Sequence, residues 1–153
     1  MFEIFTYLAD SPYRWATVVP DAMPFLWAGA VIGHSFVATP AKFKAEGLEK
    51  ALALEVGRAT FTLFHRVEFL FLVLITTTMI FSQKNSYSWL IFSVVLLSFL
   101  FQRFYLRPKL FANISAYHKG ERPANETPHK LFKLLEVIKL ICLIGLGTML
   151  IAY

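Results

Sequence analysis

The sequence predicts an all-α integral membrane protein, a four-helix bundle preceded by an N-terminal interfacial segment. Three observations predict it. Hydrophobic residues make up 57% of the chain and charged residues 16%, where soluble domains carry roughly a quarter charged. The mean hydropathy is +0.57, and the apolar residues are gathered in long runs separated by short polar punctuation. At about 20 residues per span, 153 residues hold four spans and little else, so residues 1–153 are expected to form a single transmembrane domain.

The elements follow in order. Residues 1–20 lack a basic start, a long apolar centre and a small-residue cleavage site, which argues against a cleaved leader. Phe2, Ile4, Phe5, Tyr7, Leu8, Tyr13 and Trp15 instead suit the headgroup level, where amphipathic rings settle. The first span is expected over about 21–40, with Asp21 as N-cap and Thr39-Pro40 ending or kinking the helix. Between Lys42 and Arg58, the spacing of Leu48, Ala51, Leu52 and Glu55 predicts a short amphipathic helix on the membrane surface. A second span is expected over 60–82, with no charge from Phe69 to Ile80. The third covers 87–106 and stops at Arg107-Pro108. A polar loop, Gly120 to Pro128, leads to a fourth span over 128–152, with Thr127 capping and Pro128 at the first helical position.

Charge sets the orientation. Every Lys and Arg except Arg14 and Lys84 falls in or beside the first and third connections. The positive-inside rule then places those connections in the cytoplasm and both termini outside it. The net charge of +5 is thereby topological, and nucleic acid is not an expected partner. The lack of a presequence points to a bacterial inner membrane.

Soluble-enzyme signatures are absent: no zinc-finger pattern, Walker loop or dinucleotide fingerprint occurs. The lone Cys142 has no intrachain disulfide partner and reads as a small core residue. What stands out is a set of ionisable groups inside apolar spans, His34, His65, Glu68, Glu136 and Lys139. Mid-bilayer charges cost about 2.5–3.5 kcal/mol each on insertion scales, so pairing or function is the default reading. At about 1.5 Å per residue, His34 and His65 lie roughly 8 to 9 Å inside one edge, and Glu68 and Glu136 about 12 Å deep. His65 and Glu68 share a helix face at i, i+3; His129, Phe132, Glu136 and Lys139 form a stripe on the last span. Both faces are expected to point into the bundle.

Three readings of this set stand open. His34 and His65, at equal depth on adjacent helices, suit axial ligation of haem b. His65, Glu68 and Glu136 form a mixed nitrogen and oxygen set suited to a metal ion or a proton site. Alternatively Arg66, Glu68, Arg103, Glu136 and Lys139 form an internal ion-pair network that fixes helix register without chemistry. Separately, Gly29 and Gly33 make a GxxxG stripe for close helix contact, within the chain, in a homo-oligomer or against another membrane subunit.

Gly33, Phe36, Pro40 and Phe43 in the first span, Gly57 and Phe61 leading into the second, Tyr105 and Pro108 at the exit of the third and a last helix opening near His129 resemble the uncharacterised four-helix family around transmembrane protein 205. The chain departs from some members in its last span, which has Glu136 and Lys139 where they open with small polar residues. The resemblance implies fold and topology, not mechanism. The expected function is that of a non-enzymatic membrane protein in contact with the lipid bilayer, an accessory or structural subunit of a larger membrane assembly or a binder of a small ligand. The alternative is a redox or transport protein using His34 and His65.

Overall fold

The computed structural model describes residues 19–81, 85–121 and 127–152. The expected interfacial segment, Arg14, Lys84 and the centre of the loop before Pro128 lie outside these residues. Among the described residues the chain forms four helices and no strand: α1 (Val19–Lys44), α2 (Lys50–Phe81), α3 (Ser86–His118) and α4 (Thr127–Ala152). Each is long and apolar enough to cross a membrane. Large apolar side chains such as Phe69, Phe81, Leu97, Phe104 and Ile141 are exposed on the outside of the bundle, as a surface facing acyl chains requires.

Three helices run further than the sequence suggests. Pro40 was expected to end or kink α1 and Pro108 to stop α3; both helices continue past these prolines, to Lys44 and His118. In each case the turns before the proline widen into a π-helix, Ile32–Ala38 in α1 and Gln102–Leu106 in α3. The ends of these segments bond five residues back, Thr39 N–H to His34 O and Arg107 N–H to Gln102 O. A wider turn makes room for a ring that lacks an N–H and crowds the carbonyl four residues earlier. Thr39 and Arg107 consequently stay in the α region despite the bias against it before proline.

The short surface helix expected between Lys42 and Arg58 is instead the first part of α2, which is continuous from Lys50 to Phe81. Its buried positions there are Ala53 and Gly57, while Leu52 is exposed. Asp21, expected as an N-cap, lies within the first turn of α1. Asn85 is a true cap: its Oδ1 accepts from Ser88 N–H at 2.9 Å. Gly120, at φ +75°, closes α3 in a left-handed turn in which Glu121 N–H bonds Ala116 O and Gly120 N–H bonds Tyr117 O.

Helix α4 packs along α1 and α3, and α2 packs on α1 and the last part of α3. Lipid is as apolar as leucine, so helix contact here rests on packing and polar bonds more than on transfer from water. One close approach is at Gly147, where a Cβ would stand 2.6 Å from the Phe25 ring. Along its axis the bundle has three levels. An apolar core of Trp27, Val31, Ile75, Met79, Phe99, Leu143 and Leu146 fills one half. A polar belt follows, and beyond it a cavity opens among the extended ends of α1 and α3 and the first turns of α2 and α4.

Candidate functional site

All four helices contribute to the polar belt, and its centre is Lys139. The side chain is fully buried, and its three N–H donors are all used: Nζ lies 2.5 Å from Glu68 Oε1, 2.6 Å from Glu136 Oε1 and 2.9 Å from Gln102 Oε1. Glu68 Oε1 also accepts from Trp27 Nε1 at 3.2 Å, and its Oε2 is 2.7 Å from His65 Nδ1. Glu136 Oε1 accepts from Gln102 Nε2 at 2.8 Å and Oε2 accepts from the Ser35 hydroxyl at 2.7 Å. Gln102 Nε2 reaches the Phe132 carbonyl as well, at 3.3 Å. Every oxygen of both carboxylates thus has a donor.

Local sequence explains these placements. The i, i+3 pairs His65–Glu68 and Glu136–Lys139 each stack one turn apart on one helix face. Ser35 and Gln102 lie in the two π-helical segments, whose altered winding turns a small hydroxyl and an amide toward Glu136. Trp27 joins belt to core: its ring stacks on Phe71 at 9° and meets Phe99 edge-on, while its N–H donates to Glu68.

The structure brings together four of the residues singled out in the sequence, His65, Glu68, Glu136 and Lys139. Arg66 and Arg103 stand apart, a correction to the expected network. Arg66 is exposed, and the Arg103 guanidinium lies over the Phe104 ring, 5.9 Å from its centroid. Arg66 occupies an outward position, where a long basic side chain can reach the headgroups, and Arg103 is half-buried. Trp27, Ser35 and Gln102, which complete the belt, were not anticipated. Gln102 had a visible signal, an amide inside an apolar span; the roles of Trp27 and Ser35 depend on packing alone.

His34 stacks on Phe64 with ring centroids 4.2 Å apart at 16° and meets Phe61 edge-on at 4.8 Å. Ring contacts continue from Phe61 to Phe132 and from Phe132 to His65. The two histidines are therefore connected through phenylalanine rings, not arranged about a common gap. Among the described residues no three His, Cys, Asp or Glu side chains are grouped to hold a metal ion. Gly29 and Gly33 face outward, with open space where a Cβ would stand, so the stripe makes no close contact among the described residues.

Below the belt lies a cavity of about 420 Å³, within the range of roughly 300–1,000 Å³ usual for small-molecule sites. Its walls are mainly apolar, from Leu54, Phe61, Leu110, Phe111, Ile114 and Phe132, and its charged lining residues are the cations Lys42, Lys50, Arg107 and Lys130. His65 lines it too. As a carboxylate Glu68 only accepts, so His65 Nδ1 carries the proton they share, and the other ring nitrogen, Nε2, is buried without a protein partner.

A family model described as a domain of unknown function, DUF4149, matches residues 23–117. The chain belongs to the DUF4149 family. In this DUF4149 protein the matched stretch contains Trp27, Ser35, His65, Glu68 and Gln102 and ends before α4, which brings Glu136 and Lys139. No curated protein and no solved structure matches the chain.

Proposed function

We propose that this DUF4149 protein is a non-enzymatic integral membrane protein that takes a small ligand into the cavity beneath its polar belt. His65 carries the reading. It is fully buried, its Nδ1 is committed to Glu68, its Nε2 has no protein group to bond it, and the residue is part of the cavity wall. An unsatisfied buried polar atom costs about 1–3 kcal/mol, and a ligand that bonds it removes that cost. The belt itself supports a structural role, since its carboxylates and ammonium are saturated by one another and by neutral donors. The basic end of the bundle would face the cytoplasm of a bacterial inner membrane, with both termini on the other side. The likeness to the family around transmembrane protein 205 agrees with this arrangement, and the outward-facing Gly29 and Gly33 suit docking onto another membrane subunit.

The test is native mass spectrometry of the full chain released from neutral detergent after incubation with a lipid extract of the expression host. The comparison is with Ile114→Trp, whose indole fills the cavity. A small-molecule adduct present in the parent protein and lost in the variant supports the proposal; identical adduct patterns overturn it. Haem b or metal ligation through His34 and His65 has less support, because the His34 ring lies flat against Phe64 and phenylalanine rings, Phe61 and Phe132, stand between the two histidines. A Soret band that shifts on reduction and disappears in His34→Ala and His65→Ala would replace the proposal with that reading.

A further inference from the structure

Building on that ligand-binding reading, we infer that the cavity takes an anionic amphiphile, a phosphate or carboxylate headgroup on an apolar tail, with Lys42, Lys50 and Arg107 as its charge partners. Among the described residues none of these three cations is paired with a carboxylate. Each lies against an aromatic face instead: Lys42 over Phe43 and Phe61, Lys50 over Tyr117, and Arg107 over Phe111. The cavity lining contains no Asp or Glu. Uncompensated cations around an apolar space are complementary to one negative charge carried on a hydrophobic body.

Local geometry holds these cations toward the site. Arg107 Nη2 donates to the Thr62 hydroxyl at 2.9 Å, which orients the guanidinium, while its Nε is buried without a partner. Lys42 extends its ammonium against the bare backbone of Gly57, where any Cβ would collide with Nζ. His65, whose Nε2 has no protein partner, also lines the cavity.

Depth agrees with charge. Helix α2 has 32 residues, about 48 Å at 1.5 Å per residue, against a hydrocarbon core about 30 Å thick. The excess belongs to its basic end, since Phe69 to Phe81 is uncharged. The cavity walls from Lys50 to Phe61 and from Arg107 to Tyr117 therefore stand at headgroup level, where basic sites between helices meet anionic lipid heads.

The test uses the full chain in dodecyl maltoside. Phosphatidylglycerol and phosphatidylcholine with identical acyl chains are titrated by native mass spectrometry, with dodecyl phosphate and inorganic phosphate as competitors. Phosphatidylglycerol should bind at least about tenfold more tightly than phosphatidylcholine, given the strength of hydrogen bonds to charged groups. Lys42→Gln with Arg107→Gln should abolish that preference. Lys50→Gln, at an exposed position that folding tolerates, should reduce it. Displacement of phosphatidylglycerol by dodecyl phosphate identifies a free single-chain amphiphile as the tighter ligand, and its retention identifies a bilayer lipid; both support the inference. Equal binding of the two lipids, lost in Ile114→Trp, overturns the anionic class and leaves the ligand-binding reading intact. Binding unaffected by Ile114→Trp overturns both. Competition by inorganic phosphate as strong as that by dodecyl phosphate overturns the need for a tail.

Discussion

Replacing Lys139 with methionine would remove the one ammonium that two buried carboxylates share. Methionine matches the length of the lysine stem, so the change is mainly one of charge. Glu68 and Glu136 would then be two like charges that had both contacted one nitrogen, within 2.6 Å of it. Breaking a buried pair by removing one partner costs about 3–5 kcal/mol, which corresponds to a fall in Tm on the order of 10 °C for a chain of this size. Adding Glu136→Gln should restore most of that loss. Glu136 is the better carboxylate to neutralise, because its remaining donors, Gln102 and Ser35, are neutral and a glutamine can still bond them. Glu68 would keep Trp27 and His65. Cys142 supplies the assay: it is the chain's single cysteine and is half-buried, so a thiol-reactive fluorophore reports unfolding as detergent-solubilised protein is heated. If the double variant melts below Lys139→Met by the full cost of Glu136→Gln alone, the two residues act independently and the belt is not one network.

The belt and the helix contacts support further predictions. Trp27→Phe keeps the aromatic packing on Phe71 and Phe99 but deletes the donor to Glu68, and should cost about 1.5–3 kcal/mol in the same melting assay. Gly147→Ala places a methyl group against the Phe25 ring and should destabilise by about 1–3 kcal/mol, whereas Gly145→Ala, with nothing within 4 Å, should be neutral or mildly stabilising; equal effects at the two positions would contradict the packing of α1 on α4. Gly29→Leu with Gly33→Leu should leave monomer stability unchanged, because both sites are open, and should lower the mass of any assembly formed through that face, measured by light scattering in detergent.

The existence and type of all four helices were legible from apolar runs alone, and so was the meeting of Glu68, Glu136 and Lys139, because hydrocarbon leaves buried carboxylates few alternatives. The extents of α1 and α3 were not. A proline in an apolar helix reads as a stop when judged by its missing N–H, and the compensation lies in a change of winding over Ile32–Ala38 and Gln102–Leu106 that no local preference encodes. Arg66 and Arg103 illustrate the converse. Arg66 is two positions from Glu68 and Arg103 one from Gln102, but one position along a helix turns a side chain by about 100°, so nearness in sequence does not specify azimuth. The cavity was invisible for a different reason: much of its wall comes from the extensions past Pro40 and Pro108 and from the start of α2, segments expected to be connections.

The position of the belt between core and cavity gives its saturation a purpose beyond register. An apolar core would accept lipid or ligand tails without a fixed depth, since nothing in it resists an alkyl chain. A layer of bonded charges does resist, because an entering tail would have to separate Lys139 from carboxylates it contacts at 2.5 and 2.6 Å, and unpaired charges in this setting cost several kcal/mol each. Trp27 anchors that layer to the core, stacked on Phe71 and bonded to Glu68. His65 belongs to both layer and cavity, with Nδ1 bonded in the layer and the residue part of the cavity wall. The layer thus defines the inner end of the cavity, and Lys42, Lys50 and Arg107 line the cavity toward the end of the bundle. A belt with a bond left open would be a weaker barrier, which is why Gln102 and Ser35, uncharged and easily overlooked, matter as much to the shape of the site as the charges they complete.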